Sequence, residues 1–326
     1  MELFNSLAAK LLSPMVLAFA LGIFATLIKS DLKFPEGLYI GLTIYLLFAI
    51  GLKGGVKLSA TPLNEFYKPA LGAILMCSLI PIWSYFILNK IGKFSVTNAA
   101  AIAAHYGSVS AVTFSESLSY METMGVSFEG FMPTMLAIME VPAILIAIFI
   151  ARTQSKEEST SSWGKLFHEL FAGRGTVLLI GGLVIGFLSG KKGFEQVAPL
   201  FDTPFKGVLA LFLLEVGLVT GRKLGDLVKA GPFLIGFGLI MPIVHACIGI
   251  YLGKALGLSL GGSTIFGVLC ASASYIAAPA AIRIALPEAS PTYYLTSALA
   301  ITFPFNIVLG LPLYLSIAKF IFGVNS

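Results

Sequence analysis

The chain has 326 residues, 57% of them hydrophobic and 11% charged, where a soluble domain carries about 25% charged residues. A soluble core of this length cannot absorb so much apolar surface, whereas a bilayer can, since about 20 mostly apolar residues cross its ~30 Å hydrocarbon layer. The net charge of +5 is spread along the connectors without a basic block, so nothing in the charge pattern calls for nucleic acid.

Apolar runs bounded by polar residues, glycine or proline predict ten membrane spans. They lie at about 14–29, 37–53, 69–89, 97–117, 131–151, 175–190, 206–221, 231–253, 262–283 and 293–318. The first run is long and lacks an A-x-A cleavage site, so it is read as a span and not as a leader. Cys77, Cys247 and Cys270 all fall inside apolar runs and are expected to be small core residues. The one clearly polar connector, residues 152–174, divides the chain near its middle. The predicted organisation is therefore a first half of five spans (1–151), a connector (152–174) and a second half of five spans (175–326).

Several anchors recur in the same order on both sides of the connector. Ile50-Gly51-Leu52-x-Gly54-Gly55 pairs with Val216-Gly217-Leu218-Val219-Thr220-Gly221, and Pro81 with Pro242. Ser108-Val109-Ser110 pairs with Ser272-Ala273-Ser274, and Leu136-Ala137-Ile138 before Pro142 with Leu299-Ala300-Ile301 before Pro304. With an odd number of spans per half, the second half enters the membrane from the opposite side. The expected fold class is thus an all-α polytopic membrane protein, a 5+5 inverted-topology repeat of ten transmembrane helices, the signature of secondary transporters.

The side of the connector collects twelve Lys and Arg residues, including all four arginines (Arg152, Arg174, Arg222, Arg283). Nine lysines, among them Lys10, Lys53 and Lys206, fall on the other side. The positive-inside rule then places the connector in the cytoplasm and both termini outside.

The fourth and ninth spans are unlike the others and are repeat partners of each other. The fourth carries Asn98, His105, Tyr106, Gly107, Ser108, Ser110, Thr113 and Ser115, and the ninth carries Ser263, Thr264, Ser272, Ser274, Tyr275 and Pro279. Unwound backbone at membrane depth is tolerated only where protein or a water-lined cavity satisfies it, so both helices are expected to be broken there around a binding site. Breaking a helix leaves N–H groups at the start of the following half-helix, an end carrying about half a positive charge. A small anion can be held there by such N–H groups with Ser and Thr hydroxyls, without arginine. The expected solute contacts are Gly107, Ser108, Ser110, Thr113, Ser272, Ser274 and Tyr275.

Glu140, ahead of Pro142 in the fifth span, is a candidate for ion coupling because an ionisable residue at membrane depth is costly. Thr302 and Asn306 in the tenth span offer oxygen ligands to a hard cation, or else hydrogen bonds between helices. Glu215 is read equally as a structural or interface residue. Glu116 and Glu122, near the end of the fourth span, are expected in solvent. His105 and His245 read as hydrogen-bonded core residues before proton relays. The motifs H-E-x-x-H and G-x-S-x-G do not occur, so the expectation is that the chain is not an enzyme.

These residues resemble the cyanobacterial sodium-dependent bicarbonate transporters across nearly the whole chain apart from the connector. The resemblance lies in Ser13-Pro14-x-x-Leu17-Ala18-Phe19, Gly51-Leu52-x-Gly54-Gly55 and Gly107-x-Val109-Ser110-x-x-Thr113. It continues in Glu140-Val141-Pro142-Ala143, Pro242-Ile243-Val244-His245 and Ala271-Ser272-x-Ser274-x-Ile276. It implies an elevator-type symporter in the cell membrane that takes up bicarbonate with Na+, a homotrimer, and a small nucleotide-binding regulator on the cytoplasmic side. The chain departs from that family's pattern at Tyr275, which replaces an acidic residue, at Ala277-Ala278-Pro279-Ala280 and at Ala111-Val112. A proton-coupled permease for an organic carboxylate and a non-transporting membrane sensor are the alternatives on the same fold.

Overall fold

The computed structural model describes residues 11–154 and 162–324. Lys10 and Lys156, used above for orientation, and the polar stretch 155–161 of the connector lie outside the described residues. The described residues are helical without any strand, and they form a multi-pass membrane protein. Six helical segments are long and apolar enough to cross a membrane. One of these, Ala198–Ala255, is interrupted by a short 3-10 turn at Leu224–Asp226 and by the non-helical backbone of Gly231.

In chain order the helices are α1 (Pro14–Leu27), α2 (Glu36–Ser59), α3 (Leu63–Phe86), α4 (Val96–Gly107), α5 (Ala111–Thr123), α6 (Met132–Glu140) and α7 (Pro142–Gln154). There follow α8 (Trp163–Ala172), α9 (Arg174–Glu195), α10 (Phe205–Lys223), α11 (Leu227–Ala255), α12 (Leu260–Ala271), α13 (Ala277–Ala285) and α14 (Pro291–Phe322). α14 includes two π-helical stretches, Thr296–Thr302 and Asn306–Gly310. Two of the predicted span boundaries coincide with glycines whose backbone leaves the helical region. Gly190 (φ 59°) closes the apolar part of α9, and Gly231 (φ 78°), followed by Pro232, opens that of α11. An L side chain rarely adopts such a φ, which is why glycine stands at both.

The most extensive pairings are α2 with α9 and α1 with α10. Both rest on glycine. A Cβ at Gly22 would strike the backbone of Leu214 and Leu218, and one at Gly217 the carbonyl of Phe19. Likewise Gly51 and Gly55 lie against the backbone of Leu179 and Leu183, and Gly186 against Leu52. In lipid, with no hydrophobic drive between helices, this close approach is what holds a pair together. The Gly-Leu-x-Gly-Gly anchor is therefore a packing motif.

The remaining long helices form two similar clusters, α3 with α4 and α7, and α11 with α12 and α14. Ser95 caps α4 by accepting from the Asn98 N–H, and Ser259 caps α12 by accepting from the Gly262 N–H. The clusters are tied to each other at both ends. Glu129, in the loop before α6, accepts from the Ser259 N–H (2.6 Å) and hydroxyl (3.1 Å). At the other end Asn98 Oδ1 accepts from the Ser290 N–H in the loop before α14 (2.8 Å). Trp83 on α3 donates to His245 Nε2 on α11 (2.8 Å).

Candidate functional site: two interrupted helices that cross

The fourth predicted span is two helices, α4 and α5, separated by Ser108–Ser110. The ninth is also two, α12 and α13, separated by Ser272–Ile276. The two interruptions lie against each other. The Ser110 N–H donates to Ser272 Oγ (3.0 Å), and the Ser274 N–H donates to the His105 carbonyl (2.8 Å). Each break thus supplies a donor that the other accepts. Buried backbone groups freed by unwinding need such partners.

The hydroxyls complete the local accounting. Ser110 caps α5, its Oγ accepting from the Thr113 N–H (3.2 Å) and hydroxyl (3.0 Å). Ser272 donates to the Leu269 carbonyl (2.9 Å), and Ser274 Oγ accepts from the Ala278 N–H (3.3 Å). Ser108 donates to the Glu140 carbonyl (2.8 Å), where the fifth predicted span is itself split between α6 and α7. Gly107 is wedged between Pro81 and Ala143, where a Cβ would meet both.

All the candidate solute residues are therefore in one place. Ser108, Ser110, Thr113, Ser272 and Ser274 are buried, and Tyr275 is half-buried. The Tyr275 ring stands edge-on to Phe303 (centroids 5.3 Å apart), and its buried hydroxyl has no hydrogen-bond partner. The first turns of α5 and α13 both point at the crossing, and the N–H groups of a first turn have no acceptor within their own helix. Two positive helix ends converging with hydroxyl donors form a site suited to an anion. Beside it, between Thr43, Ile50, Val112, Ser115, Phe212 and Ile276, lies an apolar cavity with room for about one water molecule.

The oxygen-bearing candidates for ion coupling separate. Glu140 is 8% exposed, with Oε2 unpartnered and Oε1 turned toward Gly175 at the start of α9. Thr302 donates to the Gly238 carbonyl (2.8 Å) and meets the Tyr106 hydroxyl (2.6 Å). Asn306 donates to the Ala271 carbonyl at the end of α12 (3.0 Å) and accepts from Tyr314 (2.6 Å). Thr302 thus joins α14 to α11 and α4, while Asn306 ties α14 to the end of α12 and bonds within α14 to Tyr314.

One expectation is overturned. Glu116 is 1% exposed inside α5, not in solvent. α5 runs on to Thr123 and turns that side chain inward between helices. Glu122, six residues further on, is exposed and paired with Lys206 at the start of α10 (2.9 Å). Glu215, inside α10, meets Arg222 (3.4 Å). His105 Nδ1 donates to the Ala101 carbonyl (2.7 Å) and its ring stacks on Tyr294, and His245 is engaged by Trp83. Cys77 and Cys270 are buried and Cys247 is partly so. Glu129 and Tyr314 escaped the sequence reading, and Tyr106 was read only as one of the polar residues of the fourth span. Of the two missed residues, only Glu129 had a signal, a carboxylate just ahead of the fifth predicted span.

No curated protein sequence matches the chain. The family model described as the Na+-dependent bicarbonate transporter superfamily matches residues 14–319, which includes both interrupted helices and both glycine-packed pairs. The chain belongs to the Na+-dependent bicarbonate transporter superfamily.

Proposed function

We propose that this protein is an elevator-type secondary transporter for a small anion, with bicarbonate as the solute and Na+ as the coupling ion. The observation that carries the reading is the reciprocal hydrogen bonding of the two interrupted helices, Ser110 to Ser272 and Ser274 to His105. It brings two positive half-helix ends together with the hydroxyls of Ser110, Thr113, Ser272 and Ser274. The solute is held by Gly107, Ser108, Ser110, Thr113, Ser272, Ser274 and Tyr275, and coupling runs through Glu140, Thr302 and Asn306.

The same reading takes the chain as two inverted halves, 1–151 and 175–326, joined by a cytoplasmic connector at 152–174, with both termini outside. Several contacts support it. The α1–α10 and α2–α9 pairs exchange when the halves are interchanged, as do the Glu129–Ser259 and Asn98–Ser290 tethers. Ion pairs such as Lys53 with Asp202 and Lys206 with Glu122 join only residues that ten spans place on one side. In this reading α1, α2, α9 and α10 are static, and the two clusters around the crossing move together. A trimer and a small nucleotide-binding regulator on the connector side complete the proposal by family.

The test is uptake of radiolabelled bicarbonate into proteoliposomes with and without an inward Na+ gradient. Gradient-dependent accumulation is the expected result, and absence of uptake under Na+ and proton gradients alike refutes the bicarbonate assignment. A second reading, a proton-coupled permease for an organic carboxylate, is favoured by one observation, the unpartnered Oε2 of buried Glu140. It requires uptake that follows a pH gradient and disappears in Glu140→Gln. Binding of an anion without flux in any gradient would instead identify a sensor.

A further inference from the structure

We propose that α8 (Trp163–Ala172) is an interfacial strap, its aromatic edge seated in the headgroup–acyl boundary of the leaflet on the connector side and its other apolar edge docked on the protein. At about 100° of rotation per residue, Leu166, Leu170, Trp163, Phe167 and Phe171 form one continuous apolar arc. The two leucines at one end of that arc are buried, and α8 packs there on α13 and α9. Trp163, Phe167 and Phe171 at the other end are 39%, 44% and 52% exposed. Lys165 and His168, opposite the arc, are exposed, and Glu169 is half-buried. The helix thus presents three sides to three environments, namely protein, an apolar medium and water.

The apolar medium is lipid, on three grounds. α8 is joined to the membrane helix α9 through the single residue Gly173, so its C-terminal end sits at the membrane surface. The aromatic edge continues into the exposed apolar face of α9 at Val177 and Ile180. The aromatic rings form a row, Phe167 stacked on Phe171, with the Arg152 guanidinium 4.3 Å from the Trp163 ring centroid. A tryptophan with a cation beside it is the residue pairing favoured at a headgroup boundary. A helix with one apolar edge and one charged edge lies in that plane. Because α8 also touches α13, the half-helix that follows Tyr275, the strap links the membrane surface to the second interruption.

The test uses the two tryptophans of the chain, Trp83 and Trp163. The full-length protein is placed in phosphatidylcholine nanodiscs whose acyl chains carry bromine either near the carbonyl end or near the methyl end. The Trp163 signal is the difference between wild type and Trp163→Phe. Quenching by the shallow bromines at least about twice that by the deep ones, with weak quenching by acrylamide, is the expected result for a boundary residue. Full acrylamide quenching without any effect of brominated lipid overturns the proposal and leaves the edge to a soluble partner, and stronger quenching by the deep bromines overturns the interfacial placement. The wild-type and Trp163→Phe pair needs no disruptive change. The double change Phe167→Ser and Phe171→Ser adds a red shift of Trp163 emission if the strap is released. None of these readouts depends on the solute or the coupling ion.

Discussion

The two glycine-packed pairs and the helix crossing hold the molecule together by opposite means. At α1–α10 and α2–α9 the backbones touch, with no polar side chain between Gly51 and Leu179 or between Gly22 and Leu214. At the crossing, the Ser274 N–H stands 2.8 Å from the His105 carbonyl and the Ser110 N–H 3.0 Å from the Ser272 hydroxyl. Backbone seated on backbone has a single register, and any slide drives a carbonyl into a neighbouring Cα. Hydrogen bonds between hydroxyls and N–H groups can be exchanged for bonds to a solute or water at little net cost, since each is worth about 1 kcal/mol net. The difference separates seams fixed in one register from a crossing whose hydrogen bonds can be exchanged; under the proposed elevator reading the seams belong to the static part.

The largest effect should come from attacking a seam. Gly51→Leu places a side chain inside the Leu179 backbone, and an overlap that cannot relax costs more than about 3 kcal/mol. The expected outcome is loss of the monodisperse peak in size-exclusion chromatography. Gly41→Ala, where a Cβ meets nothing, serves as control and should leave the peak intact. Folding of Gly51→Leu at wild-type yield would break the comparison.

Next comes Ser272→Ala, which strands the buried Ser110 N–H. An unsatisfied buried donor costs about 1–3 kcal/mol, read as a lowered melting temperature in detergent. Ser110→Ala removes a helix cap worth about 1 kcal/mol, and it should reduce anion uptake in proteoliposomes far more than it lowers the melt. If both serines behave like Ser115→Ala, whose hydroxyl only bonds back to Ala111 one turn earlier, the crossing is plain packing. The smallest effect belongs to Glu122→Ala. Its exposed pair with Lys206 joins α5 to α10, and such pairs contribute about 0.2–1 kcal/mol. A melt displaced by a degree or two, with the displacement vanishing in high salt, is the expected result.

Much of this was legible before any coordinates. The runs ending near Gly190 and starting near Gly231 were readable because glycine and proline punctuate helices for steric reasons. The matched serine clusters pointed to two breaks because hydroxyls crowd where backbone must be satisfied. The sequence was silent on partners. Thr302 and Asn306 read equally as cation ligands or as hydrogen bonders, and only three-dimensional placement shows Gly238, Tyr106 and Ala271 beside them. Glu116 was misplaced because a carboxylate near the end of an apolar run looks solvated, and nothing local tells that α5 continues past it. Glu129 was overlooked because its partner, Ser259, is 130 residues away.

Those long-range tethers bear on the order in which the chain is made. Synthesis delivers Glu129 and the bare glycine faces of α1 and α2 well before Ser259, Gly182 and Gly217 exist. The early half enters the bilayer with its seams open and must wait there for its complement. Domains usually finish in the order they emerge, but here completion is deferred to the end of the chain. A chain cut at the connector should therefore mature only when both pieces are supplied together.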